Sequence, residues 1–475
     1  MTKTKIVATL GPASSSDEMV ARLIKAGADI FRLNMSHGDR AWHRSLIRRL
    51  KTLPGEHGLD PVGILADLSG PKIRVGRLEG GSAELAGGSL VTIVSREAAG
   101  TSRCFQVGYD GLGEGLKKGA RVLIDDGMIE LRVIKAVRGE VECRVVKGGL
   151  LKEHKGVNFP GLPLNLPSMT AKDDEDLRML LREGVDYIAL SFVRGPADVL
   201  SLKEKIAKAG RSIPVIAKIE RPEAVKNIRE IVRVSDGIMV ARGDLGVEMA
   251  PELVPPIQKR VITLCNEEGK PVITATQMLE SMVHSPRPTR AEASDVAGAV
   301  FDGTDALMLS EETASGEYPE ESIKMMDRIA REAERHLGDG AYRCARMTSV
   351  PDAVAHSACA AADSLVAKAI ICFTRSGATA LLISKHRPET RIIAVTHDER
   401  VFRMMRLYYA VTPLMVRLQS DTDGMIREVE QAALGKGLVK KGDRTVVTLG
   451  TPVTRKSPTN LMKVHRIGEG FGRGL

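Results

Sequence analysis

The chain opens with an apolar run at residues 5–10, followed by an apolar stripe at Val20, Leu23 and Ile24, spaced for one face of a helix. Ser15 with Glu18, at the head of that stripe, predicts a capping box. The couplet then recurs. Further strands are predicted at 29–33, 62–68, 186–193, 213–219, 237–241, 271–275 and 305–309, with helices such as 255–268 and 320–337 after them. These runs are nearly continuous rather than alternating, as in strands covered on both faces. Eight such units predict a (β/α)8 barrel of the TIM type; an open doubly wound sheet suits the alternation but does not explain the count.

An interruption separates the third and fourth strands. It is rich in valine and glycine, with short alternating runs at 90–94, 122–124 and 141–146, and predicts a small β domain, a β-barrel lid, inserted in the larger one. Thr170 with Asp173 heads a helix at 172–183 that returns the chain to the barrel. From about residue 350 the pattern restarts, with a helix at 353–366 and strands at 369–373, 391–396, 411–416, 445–449 and 461–466, a separate α/β domain. The expected division is 1–69 with 164–345 for the barrel, 70–163 for the insert and 346–475 for the C-terminal domain.

Most of the barrel runs end in polar residues. The second ends at Arg32, Asn34, Ser36 and His37, and the third at Asp67; the fourth contains Ser191. The fifth ends at Lys218 and Glu220, the sixth at Arg242-Gly243-Asp244, the seventh at Thr276 and the eighth at Ser310-Glu311-Glu312. In a barrel these ends converge on one mouth, where active sites sit. Lys218 and Glu220 stand two positions apart and face the same side of a strand. A plain salt bridge there is costly to desolvate in apolar surroundings, so the pair points to function. Glu220 and Asp244 supply hard oxygen donors from adjacent strands, a set that suits Mg2+. Glycines on either side of Asp244 leave amides free for a carboxylate or phosphate. Arg32 offers a planar fork for a phosphate. Asn34, Ser36 and Asp67 offer oxygens to a monovalent cation, or form a hydrogen-bonded turn. Thr374-Arg375-Ser376-Gly377-Ala378-Thr379 follows a strand and opens a helix, a geometry for an anion such as a sugar phosphate and equally for an ordinary cap.

Composition narrows the class. A chain of 475 residues with 43% hydrophobic content has room for two to four domains. No apolar run approaches the ~20 residues of a membrane span, and the first residues lead straight into a strand without a secretory apolar region. Six scattered cysteines (Cys104, Cys143, Cys265, Cys344, Cys359 and Cys372) lack a close-spaced pair, so reduced thiols and a cytoplasmic location are expected. The net charge of +9 invites nucleic acid, but aromatics are 3% and acidic residues are interleaved with basic ones. That pattern fits an enzyme of phosphorylated ligands, without nucleic-acid or membrane partners. The chain has no glycine-rich loop ending in Gly-Lys-Ser/Thr, no protein-kinase catalytic loop and no dinucleotide fingerprint. Gly111-Leu-Gly113-Glu-Gly115 reads as a turn. A nucleotide must therefore be held by side-chain cations and a domain cleft.

The motifs resemble those of the pyruvate kinases, from end to end. They include Ile6-Val-Ala-Thr-Leu-Gly-Pro-Ala-Ser14, Phe31-Arg-Leu-Asn-Met-Ser-His-Gly38, Ile216-Ala-Lys-Ile-Glu-Arg-Pro-Glu223, Val240-Ala-Arg-Gly-Asp-Leu-Gly-Val247, Ala275-Thr-Gln-Met-Leu-Glu-Ser281 and Pro286-Arg-Pro-Thr-Arg-Ala-Glu292. The resemblance implies phosphoryl transfer from phosphoenolpyruvate to ADP, giving pyruvate and ATP. It implies Mg2+ on Glu220 and Asp244, with Mn2+ able to substitute. The substrate carboxylate would meet the amides of Gly243 and Asp244 and the hydroxyl of Thr276; Arg32 would grip the phosphoryl group. Lys218 would stabilise the transferring group and the enolate, with Ser191 beside it and Thr276 helping to position the proton donor. Asn34, His37, Arg74 and Lys155 match nucleotide contacts. Asn34, Ser36, Asp67 and Leu68 match a potassium site, yet many members carry glutamate where Lys72 stands and threonine where Leu68 stands. Here the stretch resembles the potassium-independent branch, in which an ammonium replaces the ion. A homotetramer and a phosphorylated activator at Thr374, Arg375, Ser376, Gly377 and Thr379 are also implied. Two other readings are an enolpyruvate-barrel aldolase or lyase using magnesium, and a basic RNA-binding or signalling protein on an inactive barrel.

Overall fold

The structure, a computed structural model, describes residues 2–162, 167–337, 349–417, 419, 421–451 and 457–469. The expected domain junctions at 163/164 and 345/346, and Cys344, lie outside them. Eight parallel strands close a barrel: Lys5–Leu10, Ile30–Asn34, Gly63–Asp67, Tyr187–Leu190, Val215–Ile219, Gly237–Ala241, Val272–Ala275 and Ala306–Leu309. Lys5 pairs with Ala306 at the seam. Nearly every strand residue is buried, which is why the runs are apolar throughout.

Several local expectations differ: the fourth strand ends at Leu190, so Ser191 stands just past it, and the fifth begins at Val215 rather than at 213. The first helix, Asp17–Ala26, is capped by Ser16, whose hydroxyl accepts from the Met19 amide, and the Ser15–Glu18 box is not formed. Ser14 is buried with its hydroxyl on the Gly11 amide, so the turn runs one residue further before the helix begins. The predicted first residues Asp29, Asp186 and Asp305 stand just outside their strands, which begin at Ile30, Tyr187 and Ala306. Their side chains are the reason. Asp29 accepts from the Ile6 amide, Asp186 from Ile64, Asp236 from Val215 and Asp305 from Val272. Every even-numbered strand is thus stapled at its base to the odd-numbered strand before it.

The insert leaves after Gly63–Asp67. Its strands form a six-stranded sheet with Leu90–Val94, Arg121–Ile124, Ile129–Val137 and Glu140–Lys147 at its centre, plus a two-stranded ribbon. These curl around one apolar core holding Val91, Ile93, Phe105, Leu131 and Phe159, with no single closed ladder among the described residues. Arg74 bridges to Gly156, so the outgoing and returning segments run side by side. Gly113 lies in a turn as expected; its φ is 88°, and a Cβ would sit 2.0 Å from the Val137 carbonyl oxygen. The return helix, Ala171–Glu183, carries the predicted box: Thr170 Oγ1 accepts from the Asp173 amide at 3.1 Å and Asp173 accepts from the Thr170 amide at 2.8 Å.

The C-terminal domain is a five-stranded sheet in the order Val411–Met415, Arg391–Thr396, Ala369–Phe373, Arg444–Leu449 and Leu461–Arg466, the last strand antiparallel. It seats under the barrel. Arg406, Arg403 and Arg387 reach Asp29, Asp186 and Asp305 at 3.5, 3.2 and 2.9 Å, and Tyr187 donates to the Met404 carbonyl at 2.6 Å. The barrel's lower interior layer, with Val7, Ile30, Leu65 and Tyr187, is continuous with the core of this domain. The five described cysteines form no disulfide, and burial pushes Cys143 and Cys359 up to about 12.

Candidate active site

The mouth of the barrel is organised by a line of buried charges at strand ends. Arg32 places Nε and Nη2 each 2.8 Å from Asp67 Oδ2, and Nη1 donates to Thr9 Oγ1 at 3.1 Å. The other oxygen of Asp67 lies 3.3 Å from Lys218 Nζ, which is 2.8 Å from Glu220 Oε1 and donates to Ser191 Oγ at 2.8 Å. Ser191 donates in turn to the Leu68 carbonyl at 2.8 Å. Two cations thus alternate with two carboxylates, each residue less than a tenth exposed. Burial alone would raise the pKa of Asp67, but Lys218 and Arg32 outweigh it and hold the carboxyl below its usual range. Burial pulls Lys218 down, while Asp67 and Glu220 more than reverse it, so the ammonium persists at any physiological pH. Glu220 is pushed up, first by burial and then by Asp244, against the pull of Lys218.

Glu220 Oε2 accepts from the Phe192 amide at 2.7 Å, an amide turned inward by a left-handed backbone (φ 55°). Its Oε1 is buried and receives no hydrogen bond of good geometry. Asp244 lies in the first turn of the helix Arg242–Glu248 with its side chain 27% exposed. A buried carboxylate oxygen whose neighbour is the Lys218 ammonium and a partly exposed carboxylate fit a hard divalent cation that completes its shell from substrate and water. Lys72 Nζ stands 3.7 Å from Asp244. Thr276 Oγ1 accepts from the Gly243 amide at 2.7 Å and donates to the Ala275 carbonyl at 2.6 Å.

The remaining expected residues divide. His37 is exposed at the rim, its pKa lowered by partial burial and then by the positive charges of Arg74, Arg32 and Lys72. Arg74 Nη1 donates to the His154 carbonyl, and Lys155 pairs with Asp125 of the lid at 2.8 Å. Asn34 Oδ1 is taken by the Ser36 amide at 3.1 Å, and both oxygens of Asp67 serve cations. Thr374, Arg375, Ser376 and Thr379 line a separate cavity of about 480 Å³ in the C-terminal domain, with His397 and Thr459. Gly377 turns the loop into its helix at φ 83°. Sequence reasoning missed Thr9 and Phe192. Thr9 is the register partner of Arg32 and was findable once the strands were aligned; no signal marks the Phe192 amide.

Two sequence models of one family cover almost the whole chain: "Pyruvate kinase, barrel domain" matches residues 1–323, and "Pyruvate kinase, alpha/beta domain" matches 352–465. The chain belongs to the pyruvate kinase family. Pyruvate kinases similar to it include that of Staphylococcus saprophyticus, 46% identical over all of this chain and 82% of that protein. Pyruvate kinase 2 of Synechocystis is 46% identical over all of this chain and 80% of its own length. A crystal structure of a pyruvate kinase from Cryptosporidium parvum superposes with a TM-score of 0.92 at 38% identity, covering 98% of this chain and 96% of that one. The barrel, the insert after the third strand and the C-terminal domain therefore follow one family plan. The chain is a phosphotransferase of glycolysis, acting on phosphoenolpyruvate and ADP in a family that generally depends on Mg2+. The whole-chain match leaves the aldolase or lyase reading without support.

Proposed function

We propose a division of labour among the mouth residues, carried by one observation: the buried alternation Arg32, Asp67, Lys218, Glu220. Asp67 holds both cations in place, so neither needs to reorganise as charge develops, which is electrostatic preorganisation. Arg32 binds the phosphoryl group through the edge of its fork not used by Asp67. Lys218, kept protonated, stabilises the transferring phosphoryl and then the enolate oxygen. Ser191 orients it. The Asp244 amide and the Thr276 hydroxyl take the substrate carboxylate, while the Gly243 amide, expected to join them, holds Thr276 Oγ1 instead, and Thr276 positions the water that protonates the enolate. Glu220 and Asp244 would hold Mg2+, or Mn2+ in its place, which supplies positive charge to the substrate's carboxylate and phosphoryl oxygens. Arg74, Lys155, His37 and Asn34 meet the ADP phosphates where the lid and the barrel face each other, and the lid excludes water that would otherwise take the phosphoryl group.

The Lys72 ammonium beside Asp244 supports a reaction without an absolute potassium requirement. Asn34 and Asp67 are already engaged, which leaves the set Asn34, Ser36, Asp67 and Leu68 poorly placed for a strong monovalent site. The cavity at Thr374–Thr379 suits a phosphorylated activator, and the enzyme acts as a cytoplasmic homotetramer. Among the described residues no helix is long and apolar enough to cross a membrane. Pyruvate formation from phosphoenolpyruvate, ADP and Mg2+ in potassium-free buffer tests the reading. Full activity is expected, and activity only after potassium is added would overturn the role of Lys72.

A further inference from the structure

Arg242 has no part in the reaction as described, yet its guanidinium is heavily bonded at the barrel mouth. It is 10% exposed and aims its guanidinium at the backbone of the seventh strand's end. Nη2 donates to the Thr276 carbonyl at 2.8 Å and to the Gln277 carbonyl at 3.0 Å, and Nε approaches the Thr276 carbonyl at 3.3 Å. On its far side, Nη1 is held by Asp295 at 2.6 Å and lies 3.5 Å from Gln258 Oε1. The carbonyls it grips belong to a strained pair. Thr276 has φ 69° and Gln277 φ 53°, consecutive left-handed residues that are not glycine, and the first is β-branched. Such a conformation persists only where the surroundings impose it. It turns Thr276 Oγ1 onto the Gly243 amide, the residue after Arg242 itself.

We infer that Arg242 is a positioning residue: its clamp on the Thr276 and Gln277 carbonyls holds the left-handed turn that aims the Thr276 hydroxyl at the enolate-protonation site. One residue pair, Arg242 and Gly243, thereby sets Thr276 from both ends, the carbonyl through the guanidinium and the hydroxyl through the amide. Asp295 neutralises and orients the clamp. This inference rests on the role proposed above for Thr276.

The test separates the two halves of the reaction. Enolate protonation is read in reverse, as exchange of pyruvate methyl protons for deuterium with Mg2+ and ATP present; phosphoryl transfer is read as single-turnover loss of phosphoenolpyruvate. Arg242→Met should slow exchange roughly 10- to 100-fold, the scale of a small misplacement of a reacting group, and slow phosphoryl transfer much less. Arg242→Lys, which keeps one donor in place, should fall between. Gln277→Gly touches no reacting group and adopts the left-handed turn without strain, so alone it should be near wild type. In the double variant Arg242→Met/Gln277→Gly it should recover part of the lost exchange, which a merely structural arginine would not allow. Wild-type exchange in Arg242→Met, equal slowing of both halves, or no recovery in the double variant would overturn the clamp. Thr276→Ala is the control. If it exchanges normally, the role of Thr276 itself fails; if it is slow while Arg242→Met is not, only the clamp fails.

Discussion

Lys218 shows how much one side chain depends on its neighbours. A lysine at 8% exposure would ordinarily lose its proton. Here Asp67 and Glu220 keep the charge where the transferring group needs it. Lys218→Met should therefore lower kcat by roughly 100- to 1000-fold with little change in the KM for ADP, as measured by steady-state kinetics. Lys72 is a different case, half-exposed and 3.7 Å from Asp244. Lys72→Glu places two carboxylates side by side where an ammonium stood. Activity should then rise with KCl at constant ionic strength, and a flat response would count against charge replacement. Lys218, Glu220 and Asp244 were legible because charged residues ending apolar runs are conspicuous. The left-handed turns at Phe192 and Thr276 were not, because they are imposed by packing and leave no glycine to mark them.

The barrel strands were legible to within one to three residues at their ends, since burial on both faces makes each run apolar from end to end. Three starts were misplaced at Asp29, Asp186 and Asp305, because a side chain that bonds the preceding strand's amide looks no different in sequence from a first strand residue. The lid's sheet order was beyond reach, as nothing in short alternating runs fixes which pairs with which. Helix caps fared unevenly. The Thr170–Asp173 box was read correctly, and it does more than cap: Asp173 Oδ1 also accepts from the Gly70 amide at 3.3 Å, tying the helix start to the point where the chain leaves for the lid. Thr170→Ala should cost about 1 kcal/mol in urea-unfolding stability. If the tie matters, the same change should also raise the KM for ADP.

Across the whole molecule three of the four staples at the barrel base do double duty, because they also receive an arginine from the C-terminal domain. Burial dominates Asp186 and pushes its pKa up to about 6 in spite of Arg403. The folded value thus exceeds the unfolded one of roughly 3.9. Its contribution to stability is present below about pH 4 and is lost as pH rises through about 6. Asp186→Asn keeps an acceptor for the Ile64 amide and removes the titration. The variant should gain on the wild type between pH 4 and 7, by on the order of 2–3 kcal/mol in urea unfolding; a constant difference would show that Asp186 does not titrate there. The seat beneath the barrel also bears on how the enzyme can be divided. Its floor, where Val7, Ile30, Leu65 and Tyr187 share a core with the C-terminal domain, is apolar between the aspartates that ring it. A fragment ending at residue 337 would keep the whole mouth but present that greasy underside to water, so the catalytic half made alone should clump rather than turn over substrate.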